Sequence, residues 1–221
     1  RYQSITGHHT GYRLLDKTLE GHAFRVSAIL SRCSRLTMFF IPGWLISLAT
    51  FPGVIVHEIA HRFFADLADV PVYKICYFRV GNPAGYVIHQ PAKTLRQSFL
   101  ISIGPLIVNT ILCALITFTA VFPIIYLDEQ SYGGVFLLLA WVGYSIGMHA
   151  FPSNEDMNNF LATVKNTKER GLLLLAAKVS ALLLQLANAL RFFWFDLIYA
   201  YAVSMILPWF IPVSYTHLRA H

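Results

Sequence analysis

A chain of 221 residues that is 56% hydrophobic, 13% charged and positive in mean hydropathy is too apolar for a soluble globular domain and reads as one membrane-embedded domain. Its net charge of +6 comes from Lys and Arg scattered beside apolar runs, which points to lipid headgroups as partners and away from nucleic acid. Cys33, Cys76 and Cys113 lack paired spacing, so neither a disulfide framework nor a cysteine-based zinc site is indicated; they read as free thiols, with Cys33 a candidate for acylation.

Residues 1–35 form a polar arm with glycines at 7, 11 and 21 and no sustained period. A short interfacial helix is expected near residues 24–30, and His8, His9 and His22 are expected to be solvated. The chain starts at Arg1 with no signal-peptide pattern before the first span, so the natural N-terminus is expected to lie upstream. Residues 36–212 form the embedded domain, and residues 213–221, where composition changes abruptly, read as a non-native tail.

Leu36 to Val56 is an uncharged run of the length that crosses a hydrocarbon core, with Pro42 and Pro52 expected to kink it. It leads directly into His57-Glu58-Ile59-Ala60-His61. On a helix, His57 and His61 fall one turn apart on one face, where two imidazoles can share a metal. Glu58 projects about 100° round from them, where it can act as a general base without ligating the metal. Ionisable groups at membrane depth are costly, which favours a function for all three.

Val72–Val80 and Tyr86–His89 read as two strands of a membrane-associated hairpin turned at Gly81–Gly85, whose open edge could pair with an extended substrate. Ser98–Leu127 is the second span and contains Gly104, Pro105 and Asn109. Gly104 is expected to admit a close neighbour, Pro105 to free a carbonyl, and Asn109 to serve either as structural glue or as a contact to substrate or oxyanion. Asp128 and Glu129 form an acidic loop.

Tyr132–Met148 is a third span, ended by Pro152 in the stretch His149 to Asp156. A catalytic zinc site needs a third protein ligand, for which Asp156, Glu155 and His149 are the candidates. Gly171–Leu190 and Phe192–Trp209 complete the bundle, with Lys178 snorkelling and Asp196 paired to Arg191. The fold class is therefore an all-α polytopic membrane protein with four to five spans and a small hairpin between the first two.

Three pieces in order, HEIAHRFFADLADVPV, SIGPLIVN and HAFPSNED, resemble the site-2 protease family of intramembrane zinc metalloproteases. The resemblance covers residues 36 to 160 and implies Zn²⁺ held by His57, His61 and Asp156, with Glu58 as the catalytic base. It departs from the family pattern at His149 and Met157 and in a shorter proline-to-aspartate spacing, and no PDZ-like insert follows the second span. The implied activity is hydrolysis of peptide bonds within or near transmembrane segments of membrane proteins. The balance of Lys and Arg slightly favours a cytoplasmic hairpin, and the resemblance implies the same arrangement with the zinc toward the cytoplasmic face of the cell membrane. Rival readings are a membrane peptidase for soluble or lipidated chains and a small cation transporter.

Overall fold

The computed structural model describes residues 42–126 and 133–210. The N-terminal arm with its histidines and Cys33, the start of the expected first span, the Asp128–Glu129 loop and the tail lie outside the described residues. The described chain is mostly helical with one small antiparallel sheet. In order come α1 (Gly43–Ala49), α2 (Phe51–Leu67), β1 (Val72–Cys76), β2 (Tyr86–His89), α3 (Leu95–Tyr126), α4 (Gly133–Met148), α5 (Asn154–Asn166), α6 (Leu172–Leu190) and α7 (Phe195–Phe210). A 3-10 turn at Arg191–Phe193 joins α6 to α7.

Two helices, spanning Leu95–Pro123 and Leu172–Phe193, are long and apolar enough to cross a membrane. The expected first span is not one kinked helix: α1 and α2 meet at 90° around Thr50. Pro52 occupies the first turn of α2, where its missing N–H removes no helical bond, so it starts a helix instead of kinking one. Polar groups at the break find partners on α4. Ser145 Oγ donates to Thr50 O at 2.7 Å and accepts from Gly53 N at 2.8 Å, and Trp141 Nε1 donates to Ala49 O at 3.0 Å. Satisfying backbone groups inside the protein is what permits such a break at membrane depth.

The long helix α3 packs against α2, α4 and α7. As expected from sequence, Gly104 admits a close neighbour: the Phe64 ring of α2 fills the space a Cβ would need. Gly147 of α4 similarly lies against Cys113 of α3 and Ala200 of α7. On the other flank α5 and α6 pack on each other and on α3, with Leu95, Phe160, Met157, Ala181 and Leu184 in their shared core. The opposite face of α6 exposes Leu175, Val179, Leu182 and Leu186, the surface a lipid-facing helix presents.

The hairpin is shorter than expected in its first strand, which ends at Cys76 instead of Val80. Register explains the difference. Cys76 pairs with Tyr86, the first residue of β2, so residues beyond it have no strand to meet. They fold back on themselves instead, with Arg79 N donating to Ala84 O and Arg79 Nε to Pro83 O. An irregularity between Val72 and Lys74 leaves Tyr73 unpaired on β1.

Candidate metal centre

Helix α2 carries His57, Glu58 and His61, all buried. The two imidazoles stand edge to face with ring centroids 4.7 Å apart, as the one-turn spacing requires. Asp156 comes from the first turn of α5, and its carboxylate meets them from the other side. One ligand atom from each of His57, His61 and Asp156 lies within 4.8 Å of the others, so this group could hold a metal ion.

Chemical detail favours that use. His61 Nε2 is buried and makes no hydrogen bond, although Asp156 Oδ2 stands 3.4 Å away as an ion-pair partner. Two metal–ligand bonds of about 2.1 Å at a tetrahedral angle bring their ligand atoms about 3.4 Å apart, so that spacing suits a shared ion. Two imidazoles and a carboxylate are also a donor set that zinc and neighbouring transition metals accept.

His57 is oriented by a backbone carbonyl behind it. His57 Nδ1 donates to His149 O at 2.6 Å, which leaves Nε2 for another partner. The Ile101 backbone faces the His61 ring. Ile101 lies four residues before Pro105, so Pro105 has freed the Ile101 carbonyl from its helical bond. Asn109, fully buried, donates to Ile146 O at 3.2 Å and to His149 O at 2.8 Å. Of the three α3 residues, Asn109 thus lies behind His57, while Gly104 faces Phe64. Asn109 does not line the cavity described below; the structure puts it in the supporting layer, one carbonyl removed from His57.

Asp156 is placed by the start of its own helix. Ser153 caps α5, and Asp156 Oδ2 accepts from Ser153 N at 3.1 Å and Ser153 Oγ at 2.6 Å, closing a capping box. Burial pushes the Asp156 carboxyl upward, but the facing His61 and the Ser153 hydroxyl outweigh it and hold it well below the usual carboxylate range. It is therefore ionised at neutral pH, as a ligand must be. Of the other two candidates, Glu155 is exposed and points along the cavity rim. His149 is occupied elsewhere, with Nε2 and Thr50 Oγ1 2.8 Å apart. Burial, with the Arg191 charge adding to it, lowers its pKa to about 4 and keeps it neutral.

A cavity of about 540 Å³ opens onto Glu58, His61 and Asp156. Its walls are the Tyr86–His89 strand, the Ser98–Ser102 turn of α3 and the first turns of α5 from Ser153 to Thr163. Gly85 closes over Glu58 so tightly that a Cβ there would stand 2.7 Å from Glu58 Cγ. Ser153, Ser145 and Arg191 were not singled out as site residues from sequence, though Ser153-x-x-Asp156 is a legible capping signal. No protein family, curated protein or solved structure matches the chain.

Proposed function

We propose that the chain is an intramembrane zinc metalloendopeptidase of the site-2 protease kind, cutting membrane proteins within or near their transmembrane segments. The observation that carries the reading is the convergence of His57, His61 and Asp156 beside the buried Glu58, at one end of a cavity walled by a strand. When bound, Zn²⁺ supplies Lewis-acid polarisation of a peptide carbonyl and acidifies water. Glu58 accepts the proton of the attacking water and returns it to the leaving amine. His57 is held in one orientation by the His149 carbonyl, and the capped Asp156 supplies negative charge. β2 pairs with β1 on one edge and lines the cavity, so a locally unwound substrate can lie along it in extended form.

In this reading the protein is a multi-pass membrane protein of four to five spans. The bent α1–α2 pair and the shorter apolar helices α4 and α7 accompany the two long spans. The zinc faces the cytoplasmic side of the cell membrane. The test is cleavage of a membrane-spanning reporter by wild type and Glu58→Gln, each with and without a chelator. The expected result is chelator-sensitive cleavage that Glu58→Gln abolishes. Cleavage that ignores both the chelator and the substitution would sink the proposal, and metal flux unaffected by Glu58→Gln would favour a transporter.

A further inference from the structure

Asp156 sits where it does because α5 starts where it does, and the start of α5 is held from outside the site. The turn Ala150–Ser153 leaves two carbonyls, Phe151 O and Pro152 O, that no backbone N–H among the described residues reaches. Arg191, at the corner between α6 and α7, takes both: Nη2 donates to Phe151 O at 3.2 Å and Nη1 to Pro152 O at 3.5 Å. Its Nε is fixed in turn by Asp196 at 3.0 Å. The same corner adds a bond from Asn188 Nδ2 to Asn154 Oδ1 at 3.3 Å and stacks Phe195 and Tyr199 around the Phe151 ring. Ser153, the next residue, then fixes the Asp156 carboxylate through its N–H and hydroxyl.

We propose that Arg191, braced by Asp196, is a positioning residue for the Asp156 ligand: the α6–α7 corner sets the metal site through the two carbonyls of the turn. The inference rests on the metal-centre reading. A planar guanidinium suits the task, because its fork can engage two neighbouring carbonyls while a third N–H keeps its counter-ion.

The test uses the full chain purified in detergent, with zinc affinity measured by chelator competition and the absorption bands of the cobalt-loaded protein as a reporter of ligand geometry. Arg191→Gln is expected to weaken zinc by about tenfold, the lower end of what losing an outer support costs, and to alter the cobalt bands. Arg191→Lys should fall between, since one ammonium cannot span both carbonyls, and it carries the test should Arg191→Gln not fold. Asp196→Asn removes the charge but keeps an oxygen that accepts from Arg191 Nε, so the brace and the carbonyl bonds stay in place and zinc should bind close to wild type. Wild-type affinity and bands in Arg191→Gln, or wild-type affinity in Arg191→Lys, overturns the proposal. So does an Asp196→Asn loss equal to that of Arg191→Gln, which would credit the ion pair alone. Zinc binding by wild type that His57→Ala leaves untouched would bring down the metal centre itself; binding that needs His57 but ignores Arg191 removes only this inference.

Discussion

A histidine presents a lone pair to a metal when its other nitrogen is tied, and at His57 the His149 carbonyl does the tying. Asn109 holds that carbonyl, so in the proposed metal centre Asn109→Leu should leave Glu58 and all three ligands present yet weaken zinc about 10- to 100-fold in a chelator competition. Unchanged affinity would reduce Asn109 to plain helix–helix glue. In the proposed protease Glu58→Gln should behave in the opposite way, keeping zinc and losing cleavage, because there the carboxylate moves a proton and holds no metal. Ser153→Ala removes both a cap and a carboxylate partner. A cost of about 1 kcal/mol in the thermal midpoint of metal-free protein is expected from the cap, with a further loss in zinc affinity because Asp156 is freed to rotate.

Among the elements, the hairpin and α5 decide what the cavity can admit. Gly85 is tolerated against Glu58 only because it lacks a side chain. Gly85→Val should therefore displace Glu58 and abolish reporter cleavage while zinc binding persists, which paired cleavage and metal assays would resolve. Helix α5 is amphipathic, with Met157, Phe160 and Val164 buried against α6. Phe160→Ala should cost about 3–5 kcal/mol, read as a lowered thermal midpoint, because it empties a fully buried site. This helix is hard to read from sequence because it is polar on its other face and lies between apolar runs. Its capping box and the Met157, Phe160, Val164 spacing were nevertheless legible.

At the scale of the whole molecule, the apolar outer face of α6 and the long apolar α3 accord with a bilayer environment. Lys93 and Thr167 line one shallow cavity, so the α3 start and the α5 end share a face. In a background with its three cysteines changed to serine, the proposed orientation has Lys168→Cys react with a membrane-impermeant thiol reagent only from the cytoplasmic side; labelling from the opposite side would reverse it. Sequence alone determined the apolar composition, the one-turn His57–His61 spacing with Glu58 between, the hairpin and the Arg191–Asp196 pair, because each depends on neighbours a few residues apart or on transfer energies that add along the chain. Tertiary structure alone decided the right-angle break at Thr50, the approach of Asp156 to the two histidines, which the resemblance only implied, and the carbonyl behind His57. Those features join residues about 40 to 100 positions apart, and their geometry is set by which helices pack, a property that no local pattern of residues contains.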